Sequence, residues 1–393
     1  MNEREIKKKT CELIKTIREK DKAIEKALLG YESYETACFE IQRSLDCLQG
    51  IDKEMKFLTS GEIETFCAFF PINLPLYSFI LFGIIPSFMA NHVYIRPPEL
   101  VRKILTELNN LLEIEVNFSE ISLINSNRQV FLDGYASVAD VVLFVGKYSN
   151  AEKIKQVCSR SLFLYNGAGI NPIIVAESAD IEVAVEKTVE MRTFNSGQDC
   201  AGPDVVFVHH KIYNNFLKIL LNKVVNIKVG DYSDKRVRIG KLCDFNQFSY
   251  ISKVFNKYHK NILCGGNIDY FNEIVSPTII TTGISPSMGY QEYFAPIFHI
   301  VCYKNETELS SYFKNQKYQD HAMYLSLFGD SSYVENIKHS IIFKNQIIND
   351  VERGNFAYGG YGKKASFVSH GGMNLPKPIL ISKEISHFLT LKK

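Results

Sequence analysis

Apolar positions recur along this chain with two different periods, and their alternation outlines most of its elements. Near the N-terminus Ile6, Leu13, Ile14 and Ile17 form one helical stripe, and Ala37, Ile41, Leu45 and Leu48 form another. Residues 56–70 read as a hairpin turning at Ser60-Gly61. From residue 71 strands and helices alternate. The apolar run Leu74 to Ala90 is broken by Pro75, Gly83 and Pro86 and is short for a membrane span, so it predicts a buried helix. His92 to Arg96 predicts a strand, and Pro97-Pro98-Glu99 opens a helix with Leu100, Ile104, Leu108 and Leu111 on one face. Val141 to Val145 is a buried strand ending at Gly146; a helix over 151–158 and a strand over 162–165 follow.

The second half repeats this alternation. Ile181, Val185 and Val189 mark a helix that Asp180 caps, and Val205 to Val208 predicts a buried strand. Ile274 to Ile280 reads as a strand that Pro277 confines to a sheet edge. Such alternation implies an α/β protein with mostly parallel sheets, which bind ligands beyond the carboxyl ends of their strands. Arg96, Glu99 and Gly146 fall at such ends.

Composition narrows the picture. With 393 residues and 46% hydrophobic positions, the chain can fill two or three cores. Its 45 basic and 43 acidic residues nearly cancel, which argues against nucleic acid or an anionic membrane as partner. Nine cysteines, none in a C-x-x-C pair, imply neither a zinc site nor a disulfide framework. They fit a reducing compartment, and the polar start from Met1 to Lys9 is unlike a secretory signal, so the expected location is the cytoplasm. Neither common glycine-rich phosphate fingerprint is present. Cys200 stands between the capped helix and the next strand, among Gly197, Gly202 and Pro203, where rigid elements can hold a nucleophile against a cleft. By residue type alone, a cysteine is more often a small buried hydrophobe.

Five segments, in order, resemble the aldehyde dehydrogenase superfamily. Pro71-Ile72-Asn73-Leu74-Pro75 resembles P-W-N-F/Y-P, and Arg96-Pro97-Pro98-Glu99 resembles K-P-S/A-E. Asn166 to Pro172 resembles E-L-G-G-K-S/N-P, Phe194 to Cys200 resembles the N-x-G-Q-x-C nucleophile segment, and Gln291 to Pro296 resembles E-E-x-F-G-P. Spacings of 23 residues from Asn73 to Arg96 and 34 from Asn166 to Cys200 support the match, which runs from about residue 10 onward. Gly230-Asp231 and Tyr358 to Tyr361 resemble two further landmarks.

The resemblance implies a Rossmann-like cofactor domain (1–55 and 66–165), a catalytic domain (166–356), and an oligomerising hairpin and tail (56–65 and 373–393), with a homo-oligomer as one consequence. It implies oxidation of an aldehyde with NAD or NADP. Cys200 would be the nucleophile, and the Asn73 amide would stabilise the oxyanion. Arg96, Glu99, Gly146 and Lys147 would hold the cofactor's adenosine and phosphate half, Glu99 favouring NAD by accepting from ribose hydroxyls. Glu292 and Phe294 would place the nicotinamide half.

Departures qualify this expectation. Asn166 stands where the family has the glutamate that activates the deacylating water, and an amide cannot take that proton. Ile72, Lys147, Ala168 and Asp204 also differ from the pattern, and the segment that usually precedes the first helices is mostly lacking. Asn166 turns the expectation toward acyl transfer to a thiol such as coenzyme A, or reduction of an acyl thioester in reverse. The rival expectation is a catalytically silent protein that keeps the fold as a binding or structural element.

Overall fold

The computed structural model describes every residue except Ser60, Pro286, Ser287 and Lys393. Two seven-stranded sheets carry the chain. The first contains β1 (Ile63–Phe69), β2 (Ala90–Arg96), β3 (Ile121–Leu123), β4 (Val141–Val145) and β5 (Leu162–Asn166). The second begins with β6 (Pro172–Val175), β7 (Val205–His209) and β8 (Ile262–Cys264). A separate antiparallel pair, β9 (Ile268–Asp269) and β10 (Ile274–Val275), comes next. The second sheet resumes with β11 (Thr278–Gly283), β12 (Ile297–Tyr303), β13 (Tyr324–Phe328) and β14 (Ile341–Lys344). The chain then returns to the first sheet as β15 (Ser366–His370) and β16 (Met373–Pro376).

The strand order is β16-β15-β5-β4-β1-β2-β3 in the first sheet and β14-β13-β6-β7-β12-β11-β8 in the second. Pairing is parallel except where β15 and β16 join the first sheet and β8 joins the second. This is the expected α/β architecture, with apolar cores between the sheets and their helices.

The N-terminal helices follow their stripes: Ile6, Leu13 and Ile17 are buried on helix Glu3–Glu19, and Ala37, Ile41, Leu45 and Leu48 on Tyr34–Gln49. Capping agrees too, with the side chains of Asn2 and Ser33 accepting from Glu5 N–H and Thr36 N–H. The run after Leu74 forms a buried helix with a π-helical middle, Ile80–Ile84. A Cβ on Gly83 would lie 2.9 Å from Ile95 Cδ1, so the glycine lets this helix lie close on β2. No helix among the described residues is long and apolar enough to cross a membrane.

The expected hairpin over 56–65 is not formed. Met55–Leu58 is a helical turn, and β1 lies inside the first sheet with β2 and β4 parallel on either side. Phe66, Cys67, Ala68 and Phe69 are all buried, and such a continuous apolar run needs cover on both faces, which an isolated hairpin cannot give. Ser60, at the expected turn, lies outside the described residues. In the expected C-terminal tail over 373–393, β16 pairs with β15, and helix Ile381–Lys392 buries Ile381, Ile385 and Phe388 in the core of the first sheet. The strand expected over 274–280 breaks at Ser276-Pro277. Its second part, β11, is interior and paired on both sides, with the proline just outside the ladder.

Candidate active site

Helix Ile181–Thr193 starts where the Asp180 carboxylate accepts from Val183 N–H at 3.2 Å. At its far end Asn195, Ser196 and Gly197 take φ values of 47°, 55° and 78°, three left-handed residues in succession. A non-glycine residue pays roughly 1–2 kcal/mol for this conformation, so the turn needs external support. Thr36 Oγ1 accepts from Asn195 N–H at 3.1 Å. Ser196 Oγ sits 2.6 Å from the Tyr232 hydroxyl and accepts from Gly240 N–H at 2.9 Å. Gln198 Oε1 accepts from Cys243 N–H at 2.7 Å. Gly197 meets the segment Gln291 to Pro296 backbone to backbone: a Cβ there would lie 2.4 Å from the Ala295 carbonyl carbon.

Arg192, fully buried, closes the turn from inside. It donates to the Gly197 and Pro203 carbonyls at 2.7 and 3.0 Å and lies 3.8 Å from the Asp204 carboxylate. Gly202 leaves room for it, since a Cβ there would fall 2.5 Å from Arg192 Nη2. Asn171 spans the same turn, donating to the Cys200 carbonyl at 2.8 Å.

Cys200 is half-buried at the end of this turn. Burial pushes its thiol well above the ordinary value, the Asp199 and Glu292 carboxylates push it further, and its own backbone N–H pulls it back. The carboxyls around it are raised as well. Burial lifts Asp204 to about 7 against the Arg192 charge, and burial with Asp204 lifts Glu292 to about 8 while Arg192 and Lys147 oppose. Asp199 is raised by burial, and Arg43, itself 3.2 Å from Glu352, moderates it.

The other expected site residues surround this turn. Glu292 has a buried Oε1 without a hydrogen-bond partner, and Phe294 holds a left-handed φ of 49°. Asn166 ends β5, its buried Oδ1 unpartnered, 3.0 Å from where a Cβ on Gly359 would be. Its carbonyl accepts from Gly146 N–H at 3.1 Å, and Gly146, at φ 147°, leads to exposed Lys147 and helix Tyr148–Val157. Asn73 follows β1, half-buried, and its carbonyl accepts from Ser78. The adjoining Ile72 carbonyl accepts from the Tyr31 hydroxyl, which lies beside Cys243 and so reaches the nucleophile turn indirectly. Charge thus links Cys200 to Glu292, while among the described residues no hydrogen bond links Asn73 or Phe294 to the thiol. Arg96 and Glu99 stand apart at the end of β2, beside a cavity of about 800 Å³ lined by Glu99, Arg102, Lys103, Thr106 and Asn125.

The sequence profile of the Aldehyde dehydrogenase family matches residues 2–374. The chain belongs to that family. Among curated aldehyde dehydrogenases it is 22% identical over 308 residues to a 4,4'-diapolycopene-4,4'-dial dehydrogenase of Cytobacillus firmus, covering 76% of this chain and 66% of that protein. It is 24% identical to a lactaldehyde dehydrogenase of Methanocaldococcus jannaschii, covering 97% of this chain and 86% of that one. For the former, the matched part is thus just under two thirds of the relative's length. Among solved structures, glyceraldehyde-3-phosphate dehydrogenase GapN of M. jannaschii complexed with NADP superposes with a TM-score of 0.79 at 18% identity, over 96% of this chain and 89% of that one. Substrate-bound Staphylococcus aureus AldH gives 0.76 at 19%, over 93% and 86%. At these identities the superpositions speak for the fold.

The residues present fit a nicotinamide dinucleotide of the kind aldehyde dehydrogenases use. A cavity opens beyond β2, a left-handed glycine leads into a helix beyond β4, and the buried Glu292 Oε1 awaits a donor. Sequence reasoning missed Arg192, a lone cation at a helix end with no motif around it. It also passed over Asn171, although that residue lies inside a segment already singled out.

Proposed function

We propose that this aldehyde dehydrogenase family member oxidises an aldehyde with NAD(P) through a covalent bond to Cys200. The observation that carries the reading is the turn Asn195-Ser196-Gly197, held in an unfavourable conformation by three side chains and the Gly240 N–H and packed on the segment bearing Glu292. Such strain, stabilised from outside, is characteristic of functional sites.

The Cys200 thiol gives up its proton to solvent water and the sulfur adds to the aldehyde carbonyl. The Cys200 N–H and the Asn73 amide, which makes no hydrogen bond among the described residues, donate to the resulting oxyanion. A bound NAD(P) would supply the hydride acceptor, and the unpartnered Glu292 Oε1 would accept from its nicotinamide ribose. Loss of hydride leaves a thioester on Cys200. Asn166 offers no base for water, so a thiol is the acyl acceptor this site suits best.

Incubation with an aldehyde panel and NAD⁺ or NADP⁺, followed by mass spectrometry of peptides, tests the reading. An acyl adduct on Cys200 with reduced cofactor supports it. Reduced cofactor with an adduct on Cys243 or Cys264 overturns the nucleophile. Neither product with any aldehyde overturns the activity and leaves a silent protein of the same fold.

A further inference from the structure

Strands β6, β7 and β12 lie side by side in the second sheet and run parallel, so their N-terminal ends meet at one edge. Three segments enter the sheet there: Asn166 to Pro172 leads into β6, the Cys200 turn into β7, and Gln291 to Pro296 into β12. Asp204 is the last residue before β7, the middle strand, and it is buried. Its Oδ2 accepts from Asn171 N–H and its Oδ1 from Tyr293 N–H, each at 3.2 Å. Arg192, which closes the Cys200 turn, lies 3.8 Å from Oδ1. A single buried carboxylate therefore joins all three segments. Tyr293 is gripped at its other end too: its hydroxyl lies 2.9 Å from His299 Nδ1, and His299 Nε2 lies 2.8 Å from Thr282 Oγ1. On either side of Tyr293 stand Glu292, whose carbonyl accepts from the Tyr250 hydroxyl at 3.1 Å, and Phe294 in its left-handed conformation.

We propose that Asp204 is a positioning residue: by tying Tyr293 to the entrances of β6 and β7, it holds Glu292 and Phe294 in place for the nicotinamide half of the dinucleotide. The proposal rests on the reading of Cys200, Glu292 and Phe294 given above. Asn171 and Tyr293 are both buried, so no water replaces the carboxylate as acceptor for their N–H groups. A carboxylate suits the task because it offers an oxygen to each side at once, and its charge strengthens both bonds. Arg192 compensates that charge. Asp204 is also one of the positions at which the chain departs from the family's pattern, so the tie belongs to this chain. Its charge reaches Glu292 directly. Burial raises the Glu292 carboxyl most, Asp204 next, and Asp199 adds to them, while Arg192 and Lys147 oppose. The other titratable groups facing the two carboxyls, Cys200, Tyr165, Tyr250, Tyr293 and Tyr312, are kept neutral by burial.

Calorimetry on the intact protein tests this without turnover, using the tighter-binding of NAD⁺ and NADP⁺ and its adenosine half, 5′-AMP or 2′,5′-ADP. Asp204→Asn and Asp204→Ser each keep one acceptor and remove the charge, so that either variant serves if the other fails to fold. Each should weaken the dinucleotide about tenfold and leave the adenosine half within about twofold. A general loosening of the fold would weaken both ligands alike. Infrared spectra give a second reading, since a protonated carboxyl has its own C=O band, and the band missing in Glu292→Gln belongs to Glu292. In Asp204→Asn that band should vanish at lower pH than in the wild type, because the negative charge opposing ionisation is gone while Arg192 remains. An unchanged ratio of dinucleotide to adenosine-half affinity, or an unmoved Glu292 titration, overturns the role of Asp204 and leaves the oxidoreductase reading standing. Failure of the wild type to bind any of these ligands overturns the dinucleotide reading itself, and the role of Asp204 with it.

Discussion

Arg192 Nη2 donates to the Gly197 carbonyl at 2.7 Å, tying the last turn of a helix to the tightest point of the loop that carries Cys200. The same guanidinium holds the Pro203 carbonyl beyond the cysteine and neutralises Asp204, so one side chain spans both ends of the loop. Arg192→Ala would leave two buried carbonyls without donors and a buried carboxylate without its cation. Removing one partner of a buried ion pair costs about 3–5 kcal/mol. Thermal unfolding should therefore shift well down, and covalent labelling of Cys200 should lose its selectivity. Arg192→Lys keeps the charge but not the fork, so it should recover part of the stability and little of the selectivity. An unchanged melting temperature in Arg192→Ala would refute this account.

The reactivity of Cys200 should climb with pH over an unusually alkaline range. Burial, Asp199 and Glu292 all favour the neutral thiol, so the thiolate forms above the ordinary range for cysteine. Glu292, raised to about 8, loses its proton on the way and adds a negative charge that holds the thiol back further. Glu292→Gln should thus speed alkylation of Cys200 by a neutral reagent at pH 9, with a smaller gain at pH 6, where wild-type Glu292 is protonated. Oxidised cofactor brings a positive charge and should speed alkylation in the wild type. Rates followed by peptide mass spectrometry between pH 6 and 10 decide it, and a plateau below pH 8 without cofactor would contradict the argument.

Asn166 leads to a kinetic expectation. A positioned general base contributes roughly 10²–10⁴ in rate, and position 166 provides none. Aldehyde with oxidised cofactor should give a burst of about one equivalent of reduced cofactor, then a slow phase. A thiol acceptor should restore turnover, since a thiolate attacks a thioester unaided. Asn166→Glu should lift the slow phase without added thiol. Sustained turnover without thiol, unchanged in Asn166→Ala, would show that another group activates water.

Local signals in the sequence were read correctly where they acted locally. The Asp180 cap and the stripe of Ile181, Val185 and Val189 describe helix Ile181–Thr193, and the apolar run after Asp204 is β7. Asn73, Asn166 and Glu292 could be singled out because each lies in a short segment with its own pattern. β1 was misread because a turn signal at Ser60-Gly61 was weighed above the unbroken apolar run behind it, the mark of a strand covered on both faces. Arg192 left no trace in the sequence, since a buried cation is recognised by its acceptors, and those belong to a loop whose course the sequence does not reveal.

Gly197 separates two costs that usually come together. Its φ of 78° disfavours any side chain, and its hydrogen stands where a Cβ would meet the Ala295 carbonyl carbon at 2.4 Å and Pro296 N at 2.6 Å. Gly371, between β15 and β16, has a φ of 58° with nothing within 4 Å of the same position. Gly371→Ala should therefore cost only the backbone strain, about 1 kcal/mol, and leave labelling of Cys200 unaltered. Gly197→Ala adds a backbone clash that no rotamer can relieve, so either the nucleophile loop or the segment holding Glu292 and Phe294 must move. It should lower the melting temperature more than Gly371→Ala does. It should also weaken cofactor binding by calorimetry, although residue 197 offers the cofactor no side chain. Equal stability losses in the two variants, with cofactor affinity intact in both, would mean that the contact between the two loops is slack and that the nucleophile is not positioned by it.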